Sequence, residues 1–154
     1  MTTAEDIVNK TQRKMLTVSP KTTVFDAVVM MANDKTGSIF VEEKGEIMGI
    51  WTERDLLRES IKEDFDVKTS FIGDSMSTNL ISAPHDASVF KLMDICITKY
   101  IRRIPIEKKG KYIGMVYVFD LFEEILANKN EELKKLNEIA NLEYYKPSWH
   151  RTRR

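Results

Sequence analysis

Hydrophobic residues along this chain alternate between two spacings, one typical of strands and one typical of helices. Residues 16–18, 38–41 and 47–51 form short apolar runs, which predict three strands. Apolar residues three and four positions apart over 24–35 predict a helix, and the stretch 52–61 predicts a second one. The first half of the chain is therefore expected to run strand, helix, strand, strand, helix.

A polar corner follows the third of these strands. Gly49 ends an apolar run, Thr52 falls where a helix N-cap belongs, and Asp55 comes three residues later. Threonine and aspartate at this spacing can cap each other's backbone donors. They can also present a hydroxyl and a carboxylate to a ligand at a helix N-terminus. The two roles are compatible, and both stay open at this point.

The whole pattern occurs twice. Adding 65 to each residue number of 17–57 gives 82–122, and nine positions are identical between the two stretches. Chance would give roughly two or three identities over such a length. The identical pairs include Gly49 with Gly114 and Asp55 with Asp120, so the polar corner itself is duplicated.

The second copy predicts the same order of elements as the first. We expect a strand near 80–82, a helix over 89–100, strands over 103–107 and 112–118, and a final helix from about Asp120. Such units form an α+β fold with helices on one face of a small sheet. Two copies are too few for a solenoid, so they are expected to pack as a pseudo-symmetric pair with any ligand cleft between them.

The duplication divides the chain into five expected segments. Residues 1–15 are a lead-in segment, 16–62 the first repeat, 63–73 a linker, 74–127 the second repeat, and 128–154 a C-terminal helix with a basic tail. The helix after the second repeat is either one long helix or two helices joined near its polar Asn-Lys-Asn stretch.

Composition narrows the function classes. The 154 residues are 42% hydrophobic and 31% charged, with 24 basic and 24 acidic residues, so overall charge favours neither nucleic acid nor a strongly charged ligand. A single cysteine, Cys96, excludes an intramolecular disulfide and a thiolate-rich zinc site. Without a targeting segment or a run of about 18 apolar residues, a cytoplasmic protein with no membrane contact is expected.

Catalytic chemistry has little support in the sequence. The two histidines, His85 and His150, lie in a turn and in the C-terminal tail, and neither belongs to a recognisable catalytic motif. Closely spaced metal-ligating residues are missing as well. We therefore expect neither an enzyme nor a metal site.

The doubled unit and its motifs resemble the cystathionine-β-synthase (CBS) domain pair, also called a Bateman module. The resemblance rests on Gly-apolar-apolar-Thr-x-x-Asp at residues 49–55, on Ile-Gly-Asp-Ser-Met at 72–76, and on Arg-Arg-Ile-Pro-Ile at 102–106, and it covers roughly residues 5–127. It implies regulatory binding of AMP, ADP, ATP or S-adenosylmethionine rather than catalysis, with no required cofactor. It also implies a homodimer that passes the bound state to a protein partner.

The resemblance assigns roles in one complete cleft, which we call the first cleft. Asp55 would accept hydrogen bonds from the ribose hydroxyls, and Thr52 with the backbone donors of its helix would meet phosphate. Arg103 of the second repeat would bind phosphate through its guanidinium. Four residues would flank the adenine, namely Leu80, Ile81, Ser82 and Ile104, and Ile50 of the third strand completes the set.

The other cleft, called the second cleft, departs from the family pattern. Tyr117 stands where threonine is expected, although Asp120 is kept. Its partners would be Thr17, Val18 and Ser38, with no arginine at the position that matches the arginine of the first cleft. Because a phenol can fill the space of a phosphate, the second cleft is expected to be the weaker site.

The C-terminal tail supports an alternative function. Residues 144–154 mix aromatic side chains with five basic residues. A structural dimerisation module could contact nucleic acid or an acidic partner through such a tail. A solvated chain end is the simpler interpretation.

Overall fold

The structure is a computed structural model that describes the backbone of residues 1–144 and the side chains of residues 1–140. The tail from 145 to 154, on which the alternative function depends, lies outside the described residues. Within them the elements, in chain order, are α1 (Ala4–Thr11), β1 (Thr17–Val18), α2 (Val24–Asn33), β2 (Ser38–Glu43), β3 (Glu46–Thr52), α3 (Glu53–Ser60), a 3-10 turn (Ile72–Asp74), β4 (Ala83–Pro84), α4 (Val89–Lys99), β5 (Arg103–Lys108), β6 (Lys111–Tyr117) and α5 (Val118–Tyr144).

Two three-stranded sheets carry the duplication. One has the order β1-β2-β3 and the other β4-β5-β6, each with a parallel pair followed by an antiparallel hairpin. The register shifts once in each hairpin, between Val41 and Glu42 and between Ile106 and Glu107. These shifts are 65 residues apart, so even an irregularity repeats. The predicted α+β fold of two pseudo-symmetric units is confirmed.

The hairpin turns explain another part of the repeat. Lys44 and Gly45 have φ values of 53° and 82°, and Lys109 and Gly110 have 52° and 76°. Two successive residues of positive φ are the backbone of a type I′ turn, whose twist matches the flanking strands. Glycine at the second position makes this conformation accessible, which accounts for the two identical Lys-Gly pairs.

Each repeat has its own apolar core. The first core contains Val24, Ala27, Met31, Ile39, Val41, Trp51 and Ile72. The second contains Ala4, Ile7, Val8, Ala83, Ala87, Val89, Leu92, Cys96, Ile104, Ile106, Val116 and Leu121. Three members of the second core belong to α1, so the lead-in segment packs on the second repeat. The linker packs on the first core through Ile72, with Phe65 and Val67 partly buried against it.

Two elements differ from the sequence expectation. The first strand of the second sheet is Ala83–Pro84 and not 80–82, because Ala83 pairs with Ile106 in the register that Val18 and Val41 have in the first sheet. The helix that was expected from about Asp120 begins at Val118 instead.

The final helix is continuous, which settles the choice between one helix and two. Its polar middle is bridged by ion pairs of Lys129 with Glu132 and of Lys135 with Glu131, spacings that stabilise a helix surface. Although α5 has 27 residues, neither it nor any other described helix combines the length and hydropathy needed to cross a bilayer.

Candidate functional site

A cavity of about 380 Å³ lies where the two repeats meet, at the start of α3. Six residues of the predicted first cleft line it, Leu80 among them. Thr52 and Asp55 come from the corner between β3 and α3, and Ile50 from the end of β3. Ile81 comes from the segment before β4, and Arg103 from the first position of β5. The corner of one repeat therefore faces the early strands of the other.

Ile104, which was also predicted for the first cleft, lies on the other face of its strand and does not line the cavity. Successive side chains of a strand point to opposite faces. On β5, Arg103 and Pro105 line the cavity, whereas Ile104 is fully buried in the second core. Ser82 also lies outside the cavity lining.

The carboxylate of Asp55 caps α3. It is 5% exposed and accepts the backbone N–H of Thr52 at 2.7 Å and the Thr52 hydroxyl at 3.0 Å on one oxygen. The other oxygen accepts Nη2 of Arg58 at 2.5 Å. The capping role that the sequence left open is thus present. Since an ionised carboxylate offers about four acceptor positions, capping leaves Asp55 capacity for a ligand.

Four arginines and two carboxylates give the cavity its charge. Its charged lining residues are Glu53, Arg54, Asp55, Arg58, Arg102 and Arg103. Sequence reasoning identified only Asp55 and Arg103 among them. Arg58 could have been found from its position three residues after Asp55 on the helix. Arg102 belongs to the Arg-Arg-Ile-Pro-Ile motif but had no role assigned to it, and Arg54 carries no such signal. The excess of guanidinium groups, together with the positive end of the helix dipole at the start of α3, makes this an anion-attracting cavity.

Gly37 brings the two sides of the cavity close together. A Cβ atom at this position would lie 1.8 Å from Oε1 of Glu53 and 2.4 Å from Nη2 of Arg103. Nη2 of Arg103 and Oε1 of Glu53 are 3.5 Å apart. Because Gly37 has no side chain, the side chains of Glu53 and Arg103 have room to approach each other beside the start of α3.

The second cleft contains an arginine that the sequence did not reveal. Arg13, in the segment after α1, donates from Nη2 to one oxygen of Asp120 at 2.7 Å and from Nε to both oxygens at 3.1 and 3.2 Å. The backbone N–H of Tyr117 donates to the same carboxylate at 2.8 Å. Asp120 is 3% exposed, and its hydrogen bond raises the pKa of Arg13.

Tyr117 links the two clefts. The guanidinium carbon of Arg13 lies 4.4 Å from the centre of its ring, and that of Arg103 lies 5.6 Å from it. Both distances are within the range of cation–π attraction. The hydroxyl of Tyr117 is 3.4 Å from Oγ1 of Thr36, which also donates to the carbonyl oxygen of Ser38.

The other residues assigned to the second cleft lie on the first sheet. Thr17 and Val18 form β1 and pair with Phe40 and Val41, and Val18 packs against the first core. Ser38 is 2% exposed, and among the described residues its hydroxyl oxygen has no hydrogen-bond partner.

The described part of the chain contains no arrangement of side chains that would support metal or thiol chemistry. No group of three histidine, cysteine, aspartate or glutamate side chains there could hold a metal ion. Cys96 is buried in the second core, and this burial raises the pKa of its thiol. A thiol with a raised pKa forms little of the reactive thiolate at neutral pH.

Comparison with known proteins places this architecture in a family. The family model described as "CBS domain" matches residues 4–62 and again residues 71–127. The CBS domain-containing protein CBSX3, mitochondrial, of Arabidopsis thaliana is 35% identical over 120 residues, which are 75% of this chain. Those residues span 58% of that relative, a little over half of its length.

Solved structures have the same fold. A CBS domain protein from Pyrobaculum aerophilum, complexed with AMP, superposes with a TM-score of 0.67 at 15% identity and covers 77% of this chain and 89% of its own. The CBS domain pair of protein MJ0100, in complex with 5-methylthioadenosine and S-adenosyl-L-methionine, gives a TM-score of 0.69 at 18% identity and covers 84% and 98%. With two family matches on two repeats of one fold, the chain belongs to the CBS domain family and contains a tandem pair of CBS domains.

Proposed function

We propose that this chain is a non-catalytic regulatory module that binds an adenosine-containing nucleotide in the first cleft. The observation that carries the proposal is the cavity between the repeats, which is lined by four arginines and by the buried carboxylate of Asp55 at a helix start. Apolar walls, one fixed acceptor and several cationic donors are what a base, a ribose and a phosphate require.

Each part of a nucleotide has a partner in the cavity. The ribose hydroxyls are donors for which the carboxylate of Asp55 is an acceptor, while Ile50 and Ile81 offer apolar surface to the adenine. The phosphate would lie between Arg103 and the first-turn N–H groups of α3. Because the hydroxyl of Thr52 already donates to Asp55, backbone N–H groups and guanidinium groups are the main phosphate donors in this arrangement.

The charge of the cavity favours a phosphate-bearing ligand. Related CBS structures hold AMP in one case and S-adenosylmethionine in another. Four guanidinium groups against two carboxylates attract the anionic phosphates of AMP, ADP or ATP more than the cationic sulfonium of S-adenosylmethionine. We therefore place the phosphate-bearing ligands, AMP, ADP and ATP, ahead of S-adenosylmethionine.

Signalling requires a second arrangement that the ligand favours, and we propose that it involves a homodimer. Large apolar side chains at the start of α5 are exposed, with Phe119 at 69%, Phe122 at 49% and Leu126 at 62%. A second copy that covers this surface would remove it from water. Sedimentation equilibrium should give a dimer mass for wild type and for Lys134→Glu, and a monomer mass for Leu126→Glu. A monomer at high concentration in wild type would refute the dimer.

The binding proposal is tested by thermal unfolding with AMP, ADP, ATP and S-adenosylmethionine. A ligand present at about 100 times its dissociation constant stabilises a protein by about 2.7 kcal/mol, which raises the midpoint by several degrees in a chain of this size. We expect the rise in wild type and its loss in Asp55→Asn. The matched control is Asp26→Asn, because Asp26 accepts the hydroxyl of Thr23 in the same way at the start of α2 but lies outside the cavity.

Two results would count against the proposal. An equal rise in Asp55→Asn would place the ligand elsewhere on the chain. No rise with any of the four ligands would leave the cavity without the assigned function and favour a purely structural module.

A further inference from the structure

The lead-in segment is anchored to the second repeat immediately before it reaches the second cleft. The backbone N–H groups of Ala4 and Glu5 donate to the carbonyl oxygens of Ala87 and His85 at 2.8 and 2.9 Å. Ala4, Ile7 and Val8 of α1 belong to the second core, and the helix ends at Thr11. The packing of α1 on the second repeat therefore fixes the position of the residues that follow this helix.

Two charged contacts then join this segment to α5. Lys10 pairs with Glu124, and two residues after α1 the guanidinium of Arg13 binds Asp120. Asp120 and Glu124 are four residues apart, so the two acceptors lie on the same face of α5. The first turn of α5 is where the second cleft has its ribose-binding carboxylate by analogy with Asp55.

The two clefts differ in how their carboxylates are occupied. Asp55 receives one N–H from Arg58, a neighbour on the same helix whose side chain is 60% exposed and can turn into solvent. Asp120 receives three donor contacts from Arg13, which also lies against the ring of Tyr117. A fork of this kind uses both oxygens and fixes the guanidinium in one place.

Displacing Arg13 is unfavourable for a nucleotide. Asp120 is 3% exposed, and a buried carboxylate that loses its cationic partner is left as an uncompensated charge. Ribose hydroxyls could replace the hydrogen bonds but not the positive charge. The displaced guanidinium would also lose its contact with Tyr117.

On the basis of the proposed function, we propose that Arg13 closes the second cleft by holding Asp120, so that each chain binds nucleotide in the first cleft alone. The lead-in segment thus supplies an internal cation in the place of a ligand. The bulk of Tyr117 is the competing explanation for a closed second cleft, and the experiment separates the two.

The test is the number of AMP molecules bound per chain, measured by isothermal titration calorimetry. Wild type should bind one, and so should Tyr117→Thr, which restores the threonine of the first cleft but keeps Arg13. The double variant Arg13→Ala with Tyr117→Thr should bind two. Two sites in wild type or in Tyr117→Thr would overturn the proposal, and so would one site in the double variant.

A measurement without nucleotide keeps the proposal testable if a variant fails to fold or if AMP does not bind. In the ¹H–¹⁵N spectrum of wild type, the Nε–H signal of Arg13, assigned with Arg13→Lys, should be visible and slow to exchange at neutral pH. It should be lost in Asp120→Asn. A rapidly exchanging Nε–H in wild type would overturn the proposal whether or not AMP binds, whereas absence of AMP binding in all variants would refute the proposed function instead.

Discussion

The guanidinium carbon of Arg103 lies 5.6 Å from the ring centre of Tyr117, and these two residues belong to different clefts. Arg103 lines the cavity of the first cleft, and Tyr117 begins the corner of the second. Tyr117 is also in contact with Arg13, which binds Asp120. A ligand that draws Arg103 toward its phosphate would therefore alter the contact between Arg103 and Tyr117 of the second cleft.

Replacing Arg103 by methionine should weaken AMP much more than adenosine. Methionine keeps an unbranched apolar stem but removes the guanidinium that we assign to phosphate. A hydrogen bond to a charged group contributes about 1.5–3 kcal/mol, which corresponds to a loss of roughly ten- to a hundredfold in AMP affinity. Adenosine, which has no phosphate, serves as the control ligand in the same calorimetric titrations. Equal losses for both ligands would contradict the assignment.

Replacing Glu53 by glutamine should have the opposite effect and strengthen AMP binding several-fold. The carboxylate of Glu53 lies 3.5 Å from Nη2 of Arg103 and therefore competes with the phosphate for that cation. As an anion, it also repels the phosphate. The gain should shrink as salt is raised, since Glu53 is 60% exposed. Glu46→Gln, an exposed change at the start of β3, is the control. Unchanged or weaker AMP binding in Glu53→Gln would place the phosphate elsewhere.

The pair of Arg13 with Asp120 should stabilise the fold itself. In urea unfolding, Arg13→Ala should lower the free energy of unfolding by about 2 kcal/mol, within the range for a hydrogen bond to a charged group, because the Asp120 carboxylate is left buried without its cation. Lys14→Ala, at the neighbouring exposed position, should change it by less than about 0.5 kcal/mol. Equal small effects of both changes would mean that the pair is not formed in solution.

The capping box of α1 should make part of the stability depend on pH. Hydrogen bonds from the backbone and the hydroxyl of Thr3 lower the pKa of Asp6 below its ordinary value. A lowered folded-state pKa contributes stability that is present above the unfolded pKa of about 3.9 and is lost as the pH falls through the folded one.

The difference in free energy of unfolding between wild type and Asp6→Asn should therefore be largest above about pH 5 and should narrow in acid. Urea titrations over this range measure it. If the difference in free energy of unfolding stays constant down to the lowest pH measured, the charge of Asp6 does not contribute to the cap.

Much of the fold could be predicted because the same sequence pattern occurs twice in the chain. Positions such as Gly49 and Gly114, or Asp55 and Asp120, mark the same corner in both repeats, and the spacing of apolar residues identifies the helices and the hairpin of each repeat. The strand at Ala83–Pro84 was missed by a few residues because a two-residue strand has almost no periodicity, and its position is set by pairing with β5.

The candidate site was predictable where it follows from local motifs. Thr52 and Asp55 form a local corner, and Arg103 belongs to the Arg-Arg-Ile-Pro-Ile stretch on which the family resemblance rests, so the motifs and the resemblance together pointed to all three. Arg13 could not be found in this way, because it lies in a polar stretch without a pattern. Its partner is 107 residues away in sequence and meets it only through the packing of α1 on the second repeat.

The most direct test of the central claim is photolabelling with 8-azido-AMP followed by peptide mapping, with unlabelled AMP as competitor. Nucleotide binding in the first cleft predicts that the label appears on segments 77–81 and 101–105, which line the cavity, and that excess AMP prevents it. In Asp55→Asn the labelling should be lost, while in Asp26→Asn it should persist. Label on the C-terminal helix or near Tyr117, protected by AMP in the same way, would contradict the assignment of the first cleft as the nucleotide site.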